Sequence, residues 1–226
     1  MKKQILLLFL LYSIVAFSQK KEMVDNFWKG NYDKTIEIGK QILQSEPNDF
    51  ETILLIARAE DEKGNFKNAI PYLESAKKMM SEDWQKSWAF IELAKNSFGT
   101  GKLDDAKLFY NEALKVKGTK NSEKELKKFG MLTGLDEYYK NWKIRETQNI
   151  IFHFENSINE NEIERITKTR QIAFEQINAF FNSKLPKKID FFVWNLNESY
   201  NQILNTNLGF SNPVFCISHN RLYQTP

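Results

Sequence analysis

Residues Asp61–Met79, "DEKGNFKNAIPYLESAKKM", contain the pattern that decides the fold. A glycine is followed two residues later by an aromatic residue, then by an alanine and, seven residues further on, by a second alanine. The same spacing occurs before and after this stretch, in Trp28–Asp49 and in Phe98–Val116. There the aromatic position can be a leucine (Leu103), and the alanine positions are only usually alanine. The glycines of the pattern, separated by 34 and 37 residues, are Gly30, Gly64 and Gly101. A period of this length indicates a stack of similar units that bury their apolar faces against one another.

Each unit is predicted to be a pair of antiparallel helices joined by a tight turn. The glycine belongs in that turn because it adopts left-handed backbone conformations without steric cost. Small residues such as Ala69 and Ala76 mark the points where two helices approach closely, and larger ones such as Phe66 fill the space between them. Pro47 follows the second helix of the first unit, where a helix must end.

The units resemble the tetratricopeptide repeat (TPR) family over about residues 20–118. The second-unit positions that carry the resemblance are Ala57, Gly64, Phe66, Ala69 and Ala76. The third-unit positions are Ala94, Gly101, Ala106, Tyr110 and Ala113. The first unit departs from the pattern, with Thr35 and Ile42 where small residues are usual. The resemblance implies a helical solenoid of about three repeats, and it is more specific for fold than for function.

Repeats of this family serve as scaffolds and docking surfaces, so we expect a protein or peptide partner in the groove that the first helices line. The candidate groove residues are Arg58, Trp88, Lys95 and Phe98. Exposed aromatic side chains at two of these positions would make a docking site. Alternatively, Trp88 and Phe98 pack against a neighbouring helix or against the following domain, and the short array serves to hold that domain.

Residues 119–142 are predicted to form a helix that closes the array. Ser122 followed by Glu125 matches a capping box, in which the two residues satisfy each other's backbone N–H groups. Gly130 or Gly134 is expected to kink or split this helix. The helix would cover the exposed apolar end of the last repeat, as a solenoid requires.

Residues 1–18 have the organisation of an export signal. Two lysines precede an apolar run from Ile5 to Phe17, and Ala16-Phe17-Ser18 is a small-x-small cleavage site. We expect cleavage after Ser18, which leaves a periplasmic or secreted chain that starts at Gln19 and has no membrane attachment. The alternative is an uncleaved anchor, but the run is shorter than the about 20 residues that span a bilayer.

The pattern changes after Trp142, and residues 143–226 are predicted to form a partial α/β domain within a mainly α chain. The predicted order is strand, helix, strand, helix, strand. The strands are expected at 147–155, at 188–195, which should be central, and at 213–217. A long helix at 159–183 should end at Leu185-Pro186, and a short one should cover 195–204. The expected buried side of the long helix is Ile163, Ile166, Ile172, Phe174, Ile177 and Phe181.

Residues 142–226 resemble the opening half of gluzincin-type (peptidase MA-like) zinc metallopeptidase domains, in "IIFHF", "AFEQINAFF", "LPKKIDFFVW" and "GFSNPVF". The resemblance implies that Val214, Phe215 and Ile217 lie on a strand along the active-site cleft, where a substrate backbone adds as a further strand. The next element of the family is a helix with His-Glu-x-x-His, which holds zinc and the catalytic glutamate. This motif does not occur in the sequence. Zinc is therefore expected only in a longer parent, with the helix beyond residue 226.

The sequence offers no catalytic, cofactor-binding or metal-binding residues of its own. The two histidines, His153 and His219, lack metal-ligand spacing, and the single cysteine, Cys216, is expected to be a buried thiol. The nine glycines form no phosphate-binding loop. A formal net charge of +3 is too small to indicate a nucleic-acid partner.

Two hypotheses follow for the function. In the first, the chain is an exported, non-catalytic scaffold that binds proteins through its repeats. In the second, it is the N-terminal part of an exported, TPR-linked zinc metallopeptidase. A reading frame that continues into His-Glu-x-x-His would favour the second hypothesis, and a stop codon after Pro226 would favour the first.

Overall fold

The computed structural model describes residues 18–183, 188–195, 216–218 and 221–224, the last two ranges through their backbone alone. The chain divides into two compact units, Met1–Leu126 and Lys127–Pro226. Within the described residues, the first unit is helical and the second combines helices with a β-sheet. The expectation of a mainly α chain is confirmed.

The first unit consists of helical hairpins. Helix α1 covers residues 18–28 of the described chain. The helices that follow are α2 (Tyr32–Ser45), α3 (Phe50–Glu62), α4 (Phe66–Met79), α5 (Asp83–Gly99), α6 (Leu103–Leu114) and α7 (Lys120–Thr133). The hairpins α1–α2, α3–α4 and α5–α6 correspond to the three predicted repeat units. As expected, α2 ends just before Pro47.

The turn inside each hairpin has the same backbone geometry. Gly30, Gly64 and Gly101 have φ values of +77°, +76° and +78°. At the second turn, the Gly64 N–H donates to the Asp61 carbonyl oxygen at 2.9 Å and the Asn65 N–H donates to the Glu60 carbonyl oxygen at 2.9 Å. This double closure is a Schellman motif, which satisfies carbonyls that the helix end leaves free. The predicted role of the turn glycines is confirmed.

The hairpins pack through small side chains. The buried repeat positions are Thr35, Ile42, Ala69, Ala76, Ala106 and Ala113. Gly39 is a further point of close contact, since a Cβ there would lie 2.6 Å from Ile56 Cγ1 and 2.7 Å from Met23 Cε. Two apolar clusters result, one between α1, α2 and α3 and the other between α3, α4 and α5.

Helix α7 begins earlier than the capping-box pattern predicts. Thr119 is the capping residue: its Oγ1 accepts from the Ser122 N–H at 3.1 Å, and Ser122 Oγ accepts from the Thr119 N–H at 2.9 Å. The predicted cap at Ser122 is wrong because Thr119 already completes a reciprocal pair with it. The buried Ser87 hydroxyl donates to Ser122 Oγ at 3.0 Å and joins α5 to α7. The predicted split at Gly134, where φ is +69°, is confirmed.

The second unit contains a five-stranded sheet in the order β1-β2-β3-β5-β4. Its elements are a 3₁₀ turn (Glu137–Tyr139), β1 (Lys143–Glu146), β2 (Ile150–Phe154), α8 (Glu160–Phe180), β3 (Ile189–Val193), β4 (Cys216–Ser218) and β5 (Arg221–Gln224). Strands β2, β3 and β5 are parallel, while β1 and β4 are antiparallel edge strands. The expectation that β3 is central is confirmed. Helix α8 joins β2 to β3 and packs on the face that carries Phe152, Phe191 and Val193.

The predicted buried side of α8 is confirmed only in part. Ile163 and Ile166 are buried and Phe174 packs against the same cluster while partly buried, but Ile172, Ile177 and Phe181 are exposed. The reason is length, since a helix of 21 residues extends about 32 Å whereas a strand of five residues covers about 17 Å. The helix ends at Phe180 rather than at Leu185-Pro186.

Two short strands were not predicted. Strand β1 has three exposed residues out of four, so it lacks the apolar alternation that signals a strand. Strand β5 follows β4 after a short connection and pairs with both β3 and β4. Residues 1–17 of the predicted export signal, residues 196–204 of the short helix predicted at 195–204, and two residues of the proposed cleft strand, Val214 and Phe215, lie outside the described residues. Within the described part of the chain, no helix has the length and apolarity needed to cross a membrane.

We expect Gly64→Ala to lower the free energy of unfolding of the helical unit by about 1–2 kcal/mol, because an L-residue pays that cost in the left-handed region. A Cβ at this position meets nothing within 4 Å, so no clash adds to the loss. Urea denaturation followed by far-UV circular dichroism measures the change. Gly64→Asn is the matched control and should lose less, because asparagine tolerates this conformation. Equal losses of unfolding free energy in both variants would contradict the left-handed backbone conformation of Gly64.

Candidate protein-docking face

The side chain of Arg58, on α3, lies between two aromatic rings. Its Cζ is 4.9 Å from the ring centroid of Phe27, on α1, and 4.8 Å from that of Trp88, on α5. Phe27 in turn contacts Trp28 edge to face, with 5.5 Å between the ring centroids. These cation–π contacts hold the guanidinium in one orientation and connect the first helices of three hairpins. We call the surface formed by Trp28, Arg58, Glu62, Trp88 and Lys95 the inner face.

Beneath Arg58 lies Glu92, on α5, whose side chain is fully buried at 0% exposure. Arg58 Nε is 3.0 Å from Glu92 Oε1, and Lys95 Nζ is 3.2 Å from Glu92 Oε2. Neither Glu92 oxygen has hydrogen-bond geometry with a described residue, so the contacts are ion pairs without hydrogen bonds. The two cations lie against both oxygens of this buried carboxylate and offset the hydration that it loses.

Lys95 joins this pair to two more carboxylates. Its Nζ lies 3.3 Å from Glu125 Oε1, on α7, and 3.8 Å from Glu62 Oε1, on α3. Burial by itself would lower the pKa of Lys95, but the negative charges of Glu92 and Glu125 outweigh it and raise that pKa above its ordinary value. Lys95 therefore remains an ammonium ion and ties α3, α5 and α7 together.

Asp61, on α3, is only partly compensated. Asn96 Nδ2 donates to Asp61 Oδ1 at 2.7 Å and to the Phe66 carbonyl oxygen at 2.9 Å. Asp61 Oδ2 is buried and makes no hydrogen bond within the described residues. Burial raises the pKa of Asp61 from 3.8 to about 7; the Asn96 hydrogen bond opposes the rise and the Glu92 charge adds to it. The group therefore titrates close to neutral pH.

Three of the four predicted groove residues come together. Arg58 stacks on Trp88, and Lys95 shares the Glu92 carboxylate with Arg58. Phe98 is 5% exposed and contributes to the interior, which leaves it little surface for a partner. That a peptide binds in this groove stays a prediction.

Sequence reasoning missed the buried acid at the centre of the site. Glu92 was not singled out, although it interrupts the apolar run "WAFIELA" and a charge inside such a run indicates a buried ion pair. Trp28 was also missed, and it is 73% exposed. Its position at the end of α1, next to the first turn glycine, was the available signal.

The sheet of the second unit carries one polar pair. His153, on β2, lies 2.7 Å from Asp190 Oδ1, on β3, through its Nε2 atom, and its ring stacks on Phe192 with 4.4 Å between centroids. Among the described side chains, no group of three or more His, Cys, Asp or Glu residues is placed to hold a metal ion. Ile217, from the predicted cleft strand, lies on the edge strand β4.

The three helical hairpins with identical left-handed glycine turns define a TPR-like helical-repeat array, the class of protein that the sequence resemblance implies. Among the solved structures to which the chain is similar is an NMR structure of the first TPR domain of the human RPAP3 protein. The sequence identity is 21% and the TM-score is 0.44, over 55% of this chain and 97% of that one. No family model matches the chain, and no curated protein matches it. The assignment to this class rests on the hairpin geometry.

The buried Asp61 predicts an unusual pH dependence. Because the folded-state pKa, about 7, exceeds the ordinary value of 3.8, the folded chain binds the proton more tightly and stability is lost as the pH rises through this window. Asp61→Asn keeps the acceptor for Asn96 and removes the charge. The free energy of unfolding of Asp61→Asn minus that of wild type should therefore increase with pH. We expect this difference to be about 2–3 kcal/mol more favourable to the variant at about pH 8 than at about pH 5.

Urea denaturation of both proteins at the two pH values measures this difference. Asp104→Asn, on the exposed first turn of α6, is the control and should shift stability equally at both. If the Asp61→Asn difference is the same at both pH values, Asp61 does not titrate in this window.

Proposed function

We propose that the chain is a protein-interaction scaffold whose helical unit docks a partner segment on the inner face. The observation that carries the proposal is the stack of Arg58 between Phe27 and Trp88 beside the exposed Trp28. Arginine and tryptophan are the residues in which protein interfaces concentrate their binding energy. Here the stacking and the Glu92 ion pair immobilise Arg58 in advance, so little side-chain entropy remains to be lost on binding.

Site-specific cross-linking tests this proposal. A photoreactive benzoyl-phenylalanine at position 28 should form an adduct of discrete mass in producing cells, because Trp28 projects from the inner face. The same probe at Leu108, which is exposed on α6, is the control and should not form that adduct. Mass spectrometry of the adduct then identifies the partner.

The purified partner provides the decisive measurement. Trp28→Ala should weaken its binding to the full chain by about tenfold or more, and Leu108→Ala should leave it unchanged. An adduct that forms equally at both positions, or a partner whose affinity does not depend on Trp28, would contradict docking on the inner face.

We further propose that the protein is exported to the periplasm or secreted. The support is the basic start, the apolar run and the small-x-small site at Ala16-Phe17-Ser18. N-terminal sequencing of the protein from the extracytoplasmic fraction should read from Gln19. A chain that retains Met1 in that fraction would contradict cleavage.

A zinc metallopeptidase stays the second candidate, and for this function the α/β unit is a part of the enzyme rather than the whole. One observation favours it: β4, which contains Ile217, is the edge strand and runs antiparallel to β5. A strand at an edge has backbone groups to which a substrate backbone can pair. This candidate places zinc and the catalytic residues outside residues 1–226.

A further inference from the structure

The charges of the inner face identify the chemistry of the partner, an inference that rests on the proposed docking function. The two cations of the inner face, Arg58 and Lys95, are already paired with carboxylates of the chain. Arg58 is paired with Glu92, and Lys95 lies within 4 Å of carboxylate oxygens from Glu62, Glu92 and Glu125. An incoming acidic group would have to compete with these fixed carboxylates for both cations.

Negative charge is also in excess at this surface. The carboxyl groups of Asp61, Glu62, Glu92 and Glu125 surround the two cations. With Asp61 protonated, three carboxylates still outnumber two cations. The net charge of this set of groups is therefore negative.

The exposed fractions of the charged side chains also make negative charge the more accessible one. The Glu62 side chain is 43% exposed, whereas those of Lys95 and Arg58 are 20% and 15% exposed. The carboxylate is thus the charge that reaches furthest into solvent, and the cations lie behind it. A basic side chain can reach Glu62, whose 3.8 Å contact with Lys95 is the longest of the ion pairs in this network.

An apolar anchor site lies on α1, next to Phe27 of the Arg58 stack. Val24 and Trp28 are exposed and are one turn apart on α1, so their side chains share a helix face. Trp28 contacts Phe27, and Phe27 contacts the Arg58 guanidinium. These contacts connect the apolar residues of α1 to the acidic centre of the face. An exposed tryptophan in this setting accepts a large apolar or cationic side chain.

We propose that the inner face binds a basic peptide segment, with a Lys or Arg side chain paired to Glu62 and a neighbouring large apolar residue packed on Trp28 and Val24. Acidic segments are repelled, because the cations that would receive them are already occupied. This assigns the partner as a protein with an accessible segment of mixed basic and apolar character.

Selection from a random peptide display library tests the inference on the full chain that starts at Gln19. Wild-type protein is the bait, and the Trp28→Ala variant removes peptides that bind elsewhere. Enriched peptides should carry net positive charge and a Lys or Arg close to a Trp, Phe or Leu. Their affinity should fall as salt is raised, because the pairing is between exposed charges.

Charge reversal gives the matched test. Glu62→Lys should weaken the selected basic peptides by about tenfold and should strengthen peptides in which Lys and Arg are replaced by Glu. Glu74→Lys makes the same change in net charge at an exposed position on α4, outside the inner face, and should change neither affinity. Far-UV circular dichroism of both variants verifies that they fold.

The outcomes separate this inference from the docking proposal. Enrichment of acidic peptides that depend on Trp28 would leave docking intact and overturn the basic-segment inference. Enrichment of Trp28-dependent peptides with no charge preference, or affinities that respond equally to Glu62→Lys and Glu74→Lys, would overturn it as well. If no peptide binds wild type in preference to Trp28→Ala, the inner face is not a peptide site and both proposals fail.

Discussion

The left-handed turn inside each hairpin is the constraint on which the helical unit depends. Positive φ at Gly30, Gly64 and Gly101 reverses the chain in the same way three times, at the same point of the repeat. Because the reversals are equivalent, the first helices of successive hairpins lie side by side. Arg58 can then reach Phe27 on one neighbouring helix and Trp88 on the other. The turn geometry therefore places the three helices side by side, and only then can their side chains form the inner face.

Burial of charge sets the energetics of that face. Glu92 is out of contact with water, and its charge is tolerable because Arg58 and Lys95 approach both of its oxygens. Asp61, whose pKa the Glu92 charge helps to raise, receives a hydrogen bond from Asn96, and its Oδ2 has no hydrogen-bond partner within the described residues. Buried charges that are incompletely compensated lower the stability of a fold, and they are found most often at functional sites.

The α/β unit follows a different constraint, the length of its helix relative to its strands. The first half of α8 covers the sheet face that contains Phe152 and Phe191. The second half continues beyond the strands, which leaves Ile177 and Phe181 exposed. Periodicity described this helix correctly as amphipathic, but a period states which side is apolar and not how far the neighbouring element extends.

The sequence by itself determined the repeat array, its turn glycines, its small contact positions and the strand–helix–strand core of the second unit. These features are local, because a turn or a period depends on residues within a few positions of one another. The tertiary structure alone decided that Phe98 is interior, and that Asp61, Glu92 and Lys95 form one network with Arg58. Arg58 and Asp61 lie on α3, whereas Glu92 and Lys95 lie on α5, 34 positions further along the chain. Only the packing of one hairpin on the next therefore brings these charges together and fixes which of them face solvent.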